Sequence, residues 1–371
     1  MARFSVQRVA SIARKELLHI VRDRATLFFA LFIPVIQLMI LGFAIDTNVR
    51  HVSTVVYDEA GTQESRTLLL RFVNSEDFKI VDEVYSDDQL AQMLVAGRAR
   101  VGIKIPENYS RRVQAGQTAQ VLILVDGSDS AVAGEAVNVG NAIILSESLD
   151  RVSQGRVMPI EARPRVLFNP DTRSPNFFIP GLMVVLTQMM SIMLTASSIV
   201  REKERGTLEQ LFMTPIRAGE LVVGKLMPYL GLAIAEFCTI ALVMRTVFQV
   251  PIHGHFITLL AIGLPFFLAM LGMGLWISTR VDTRDAAMQM AMGTVIPSIF
   301  LSGYIFPIDS MPAGFHFLSL VIPTTWMVDA SRGVILRGAG WAELWTHAVV
   351  LWSMATAALV ISSVMFKKRV G

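Results

Sequence analysis

"REKERGTLEQLFMTPI", residues 201–216, decides how this chain is read. Arg201, Glu202, Lys203, Glu204 and Arg205 stand in a row, directly after the uncharged run Phe177–Val200. Apolar sequence resumes at Leu221. A chain that otherwise reads as lipid-embedded surfaces here, briefly, with a dense run of charge.

The totals agree with a membrane protein. Of 371 residues, 53% are hydrophobic and 17% charged, and the mean hydropathy is +0.53. Soluble domains carry about a quarter charged residues. The net charge of +3 is small and its basic residues form no nucleic-acid-like patch, so no nucleic-acid partner is expected. The single cysteine, Cys238, excludes an internal disulfide and a cysteine-rich zinc site. Twenty methionines suit adaptable apolar packing.

A helix crossing a bilayer core of roughly 30 Å needs about 20 apolar residues. Six stretches qualify: Thr26–Ile45, Phe177–Val200, Leu221–Met244 (with Lys225 and Glu236 inside it), Gly254–Thr279, Ala286–Ile308 and Leu344–Phe366. A seventh, Met311–Val328, contains Pro312 and Pro323 and reads as a broken, re-entrant segment within 309–343. Arg3, Arg8, Arg14, Lys15, Arg22 and Arg24 precede the first span, and Lys367, Lys368 and Arg369 follow the last. Basic flanks stay cytoplasmic, so both ends are expected inside and the number of crossings even. The loops 201–220 and 280–285 then also face the cytoplasm. The first span reads as an uncleaved anchor, since its apolar run is long for a signal peptide. Before it, residues 1–25 read as a basic interfacial helix with Val9, Ile12, Ala13, Leu17 and Ile20 on one face.

Between spans one and two, residues 46–176 form a soluble insert, expected outside the cytoplasm. Strands are expected at 52–58, 78–84, 100–105 and 119–126, with helices at 87–99 (begun by an aspartate cap) and 130–152. That alternation predicts an α/β domain. The fold class is thus a polytopic α-helical membrane protein of six spans, with re-entrant helices between spans five and six.

Chemistry is sparse. "GELVVGKL" (219–226) has the glycine and lysine spacing of a phosphate-binding loop, but Leu226 stands where a Ser or Thr must meet Mg²⁺, and no strand precedes it. His253 and His255 lack a third metal ligand at a recognisable spacing. No G-x-S-x-G or H-E-x-x-H occurs. Catalytic and metal sites are therefore not expected. Glu236 falls near mid-span, where a carboxyl must face the bundle interior, a partner or water; it is a candidate point on a translocation path or a structural acid at a helix or dimer interface.

In the opening stretch, Thr207 and Gln210 have the capping-box spacing, Gly206 permits a bend and Pro215 ends the segment. A short helix over 208–214 follows, with Leu208, Leu211 and Phe212 on one side, suited to a lipid surface or a partner's groove.

This motif resembles the cytoplasmic loop of type-2 ABC exporter permeases, with its E-[RK]-E-[RK]-G-T-L-E core and following T-P. "ARKELLHIVRDRATL" (13–27), "FLSGYIFPIDSMP" (300–312) and "IPTTWMVDASRGVILRG" (322–338) resemble further motifs of that family, and the long insert is similar to the subgroup of bacterial multidrug-export permeases. The resemblance implies a permease in the bacterial cytoplasmic membrane, exporting a hydrophobic or amphipathic drug-like or lipid-like substrate. Its implied partners are separate ABC ATPase subunits, which carry the ATP and Mg²⁺, and a second permease chain, identical or paralogous. Membrane lipid surrounds it, and a periplasmic adaptor is an optional further partner. By position it assigns ATPase coupling to Glu202, Glu204, Gly206, Thr207, Glu209, Leu211 and Pro215, beside an interfacial helix bearing Lys15, Glu16, Arg22 and Asp23. Two rival readings are a receptor sensing through the external domain and an ion-coupled secondary transporter. The first lacks an output domain, and the second would be expected to carry more intramembrane charge.

Overall fold

A computed structural model describes residues 5–44, 51–127, 130–153, 169, 173–206 and 218–368. The chain divides into two compact units, Met1–Ile45 with Val166–Gly371, and Asp46–Arg165.

Among the described residues, the first unit contains helices and no strands. Helix α1 (Val6–Arg22) buries Val9, Ile12, Glu16 and Ile20. Leu17, expected on that inner face, is half exposed, and a carboxylate takes the inward position instead. Asp23 separates α1 from α2 (Arg24–Ala44). It caps α2, accepting from the Thr26 N–H at 3.1 Å and the Thr26 hydroxyl at 2.6 Å. Helix α7 (Ser174–Glu204) spans 31 residues, about 46 Å at 1.5 Å per residue. Then come α8 (Ala218–Thr246), α9 (Phe256–Ser278), α10 (Arg284–Leu301) and, last, α13 (Trp341–Lys368).

Among the described residues, α2, α7, α8, α9 and α13 are long and apolar enough to cross a membrane. Helix α10 carries Arg284, Asp285 and Gln289 in its first two turns and does not join them. It also stops at Leu301, seven residues short of the expected Ile308. The cause is a turn at Ser302–Gly303, where Gly303 adopts φ +76°, a conformation that side-chain-bearing residues resist. The stretch 311–328 is broken as its prolines require: α11 (Ala313–Leu320) ends before α12 (Pro323–Arg332) begins with proline in its first turn. The Thr325 hydroxyl donates to Ser319 O at 2.6 Å and the Trp326 indole to Leu320 O at 2.9 Å, satisfying carbonyls at the end of α11.

Small residues set the helix spacing. A Cβ on Gly274 of α9 would lie 2.7 Å from Ile192 O of α7, and one on Gly272 3.2 Å from Ala358 of α13. Between helices, buried polar groups pair: Gln188 donates to Ser298 Oγ at 2.7 Å and accepts from Thr324 Oγ1.

The second unit holds strands β1 (Val52–Asp58), β2 (Phe78–Glu83), β3 (Val101–Ile105) and β4 (Leu122–Val125) in the order β2-β1-β3-β4. The first three are mutually parallel and β4 runs antiparallel to β3. Helices α3 (Gln63–Asn74), α4 (Asp87–Val95), α5 (Tyr109–Gln114) and α6 (Ser130–Ser153) complete it. Phe72, Phe78, Ile103 and Ile105 centre its core. The cap of α4 is Ser86, which accepts from the Gln89 N–H, rather than an aspartate; Asp87 and Asp88 follow it in the first turn. Helix α4 ends at Val95 instead of running to 99, and Gly97 turns the chain at φ +67°.

Candidate functional site

The charged run closing α7 is spread over three directions. Arg201 NH1 reaches Asp23 Oδ2 at 3.5 Å, at the α1–α2 junction. Glu202 turns inward to two lysines, with Lys225 Nζ of α8 at 2.5 Å and Lys15 Nζ of α1 at 2.8 Å. Lys203 pairs with Asp282, and Glu204 with the Arg284 side chain and backbone N–H, each at 3.0 Å. Arg205 then ends the helix and Gly206, at φ +67°, turns the chain away. The run is thus a clasp that ties the end of α7 to α1, to α8 and to the start of α10.

Its centre is buried. Lys225 also meets Glu16 Oε1 at 3.0 Å, so one ammonium sits between carboxylates from α1 and α7. Lys225 and Glu16 are 3% and 4% exposed, too little for water to solvate either charge. Such a group holds only if each charge is matched. A few residues away, Glu220 is fully buried and accepts from the Ser5 N–H at 2.7 Å, with Arg8 at 3.4 Å. The Lys15 pKa is raised: burial pulls it down, but the hydrogen bond and charge of Glu202, with Glu16 beside it, outweigh that. The Asp23 pKa is lowered, chiefly by the two Thr26 hydrogen bonds and further by Arg201.

Helix α1 can approach this closely because of Gly224. A Cβ there would fall 2.8 Å from Ile12 Cβ and 3.1 Å from Val9 O. The Gly-Lys pair that imitates a phosphate-binding loop therefore has a packing explanation: glycine admits α1 and lysine neutralises what α1 and α7 bring.

The structure brings together Lys15, Glu16, Asp23, Glu202 and Glu204, while Arg22 is exposed on the last turn of α1. Thr207, Glu209, Leu211 and Pro215, with the expected helix 208–214, lie outside the described residues. Glu236 is 1% exposed and its Oε1 has no hydrogen-bond partner among the described residues. Eleven residues along α8 from Lys225, it sits about 16 Å from the clasp. His253 binds Ile335 O through its backbone N–H at 3.0 Å. Among the described residues no three His, Cys, Asp or Glu side chains group as metal ligands.

Sequence reading passed over Lys225, Glu220 and Arg8 as members of this site. The signal was present, because a lysine inside an apolar stretch needs a named counter-charge as much as Glu236 does.

The fold is that of a polytopic helical membrane protein in which one charged, ion-paired cluster gathers the ends of several helices. Residues 24–364 match the family described as ABC-2 family transporter protein, and the chain belongs to that family. It is 30% identical over 372 residues to the probable multidrug ABC transporter permease YbhS of Escherichia coli (strain K12), covering 98% of this chain and 97% of that one. Against the probable multidrug ABC transporter permease YbhR of the same organism it is 26% identical, covering 98% and 99%. ABC transporter G family member 20 of Dictyostelium discoideum is 25% identical over 92% of this chain and 48% of that protein.

Proposed function

We propose that this chain is the membrane permease of an ABC exporter that moves a hydrophobic or amphipathic substrate outward, with ATP and Mg²⁺ bound on separate ATPase subunits. In this reading α10 completes six crossings, both termini are cytoplasmic, residues 46–176 are extracytoplasmic, and a second permease chain completes the pathway in the bacterial inner membrane. Residues 201–220 receive the ATPase, and the clasp passes its movement to three helices at once.

The observation that carries this reading is the ion-paired junction of Glu202 with Lys15 and Lys225, which makes α1, α7 and α8 one mechanical element at the charged end. Any displacement of residues 201–206 must then move α1 and α8 or break buried charge pairs. The test is reconstitution of the chain in lipid with the ATPase that co-purifies with it. ATP hydrolysis should rise when permease and a transported amphiphile are both present. If no ATPase associates and hydrolysis is indifferent to the permease, the reading fails.

A further inference from the structure

At the end of α7 remote from the clasp, about 38 Å from Glu202 by helix rise, the first helical unit encloses a second polar place. A cavity of about 460 Å³ opens between the start of α7, the turn after α10, and helices α11, α12 and α13. Its walls combine Phe177, Leu320 and Trp326 with Ser302 and Arg332. That volume lies in the range that holds a small organic ligand.

Two of its groups keep unused hydrogen-bonding capacity among the described residues. Ser302 is fully buried, and its hydroxyl has no hydrogen-bond partner among the described residues. Arg332 stacks on Phe177 with its guanidinium carbon 3.9 Å from the ring centre. Its Nε, NH1 and NH2 donate to the carbonyls of Phe177, Gly303 and Tyr304 at 3.3, 2.8 and 3.0 Å. A guanidinium has five N–H donors, so about two remain. No carboxylate among the described residues hydrogen-bonds to it. The nearest acid along its helix, Asp329, is already committed, accepting from Arg337 at 3.0 Å and held by His347 at 2.8 Å. Asp329 and Asp309 both line the cavity, the first neutralised by Arg337 and His347 and the second exposed to solvent.

The carbonyl bonds hold Arg332 in place but bring no negative charge to it, and Asp329, one turn away, acts on it without a hydrogen bond; Ser302, next to Gly303, offers an unused hydroxyl. A guanidinium plus a hydroxyl is a receptor for a carboxylate or phosphate oxygen pair. The adjoining Phe177, Leu320 and Trp326 surfaces suit an apolar body. The Trp326 ring is fixed by its hydrogen bond to Leu320 O and by edge contact with His347 at 5.5 Å.

We infer that this cavity binds an amphiphile with an anionic headgroup, its carboxylate or phosphate on Arg332 and Ser302 and its apolar part on Phe177, Leu320 and Trp326. The inference deepens the export reading by naming a ligand class. Its test measures binding rather than ATP-driven transport, so failure of one leaves the other standing.

The experiment titrates dodecyl phosphate into the full chain in phosphatidylcholine nanodiscs and follows tryptophan fluorescence, with Trp326→Phe assigning the signal. Saturable binding is expected. Ser302→Ala should weaken it several-fold without lowering the thermal midpoint, because the lost hydroxyl had no partner to forfeit. Arg332→Gln should weaken it about tenfold or more, as for a lost charge-assisted hydrogen bond. Since Arg332 also holds three carbonyls, Ser302→Ala is the decisive variant. Replacing part of the phosphatidylcholine with phosphatidylglycerol shifts the titration if a bilayer lipid fills the site, and leaves it unmoved if soluble amphiphiles do; each supports the anionic site. Equal binding of dodecyltrimethylammonium would overturn it, as would equally tight binding of inorganic phosphate. Binding of dodecyl phosphate that neither variant weakens would also overturn it.

Discussion

Lys225 Nζ lies 2.5 Å from Glu202 Oε2 and 3.0 Å from Glu16 Oε1, joining three helices through one buried ammonium. Removing it leaves the Glu16 and Glu202 carboxylates sharing one half-exposed cation, Lys15, at 3.5 and 2.8 Å. Lys225→Met should therefore destabilise the protein by about 3–5 kcal/mol, the usual cost of stranding a buried charge. Adding Glu16→Gln and Glu202→Gln should return much of that loss. Thermal unfolding of the purified variants in detergent checks both, and a single variant as stable as the parent would mean the pairs are not formed.

Glu204 and Arg284 offer the contrast. Their side chains are about one-third exposed, 34% and 37%, so the pair should contribute only about 0–1 kcal/mol to stability. Glu204→Lys should leave the unfolding midpoint almost unchanged yet lower permease-stimulated ATP hydrolysis, because it reverses charge on the face assigned to the ATPase. Normal stimulation in a well-folded Glu204→Lys complex would count against that assignment. The same reversal at Glu202 is a poorer test, since it would place a third cation beside Lys15 and Lys225.

Gly224 makes a separate prediction. Leucine there must displace Ile12 and the Val9 carbonyl. Gly224→Leu should cost about 1–3 kcal/mol, typical of overpacking, and should loosen α1 selectively. Hydrogen exchange across Val6–Arg22 should quicken while α9 stays protected. Uniform change across both helices would place the strain elsewhere.

These contrasts show which parts of the molecule could be read from the chain alone. Runs such as Phe177–Val200 and Gly254–Thr279 declare helices by length and apolarity, and the prolines at 312 and 323 declare the broken segment between α10 and α13. The inner face of α1 was not legible. Glu16 lies inward only because Lys225, more than two hundred residues later, waits there, whereas periodicity put Leu17 inside. The end of α10 was hidden for a similar reason. Apolar residues continue to Ile308, but a glycine at φ +76° and the cavity beside it interrupt the helix. Serine at 86 looked less like a cap than the aspartates after it, since all three have capping oxygens and only the backbone chooses.

The pKa shifts at the α1–α2 junction set a pH window. The Asp23 pKa is lowered from 3.8, so its contribution is complete above that value and lost as pH falls through the folded pKa. The Lys15 pKa is raised from 10.5, so its contribution is complete below that value and lost as pH rises through the folded pKa. Between the two, both contributions are complete and docking of α1 should not vary with pH through these groups. Protease resistance of the N-terminal helix should accordingly be flat near neutrality, with Asp23→Ala steepening no part of that plateau. A step near pH 7 would show that another group governs the contact.

Glu236 separates structure from transport. The residue is 1% exposed and its Oε1 lacks a hydrogen-bond partner among the described residues. A buried polar atom without a bond costs about 1–3 kcal/mol. Glu236→Met, of similar volume, should therefore leave the unfolding midpoint equal or higher. If the carboxyl serves the substrate path, the same variant should slow efflux from reconstituted vesicles, with Glu236→Gln intermediate. A marked fall in stability instead would mean that the carboxyl holds helices together, and a fall in efflux could then no longer be read as a contact with substrate.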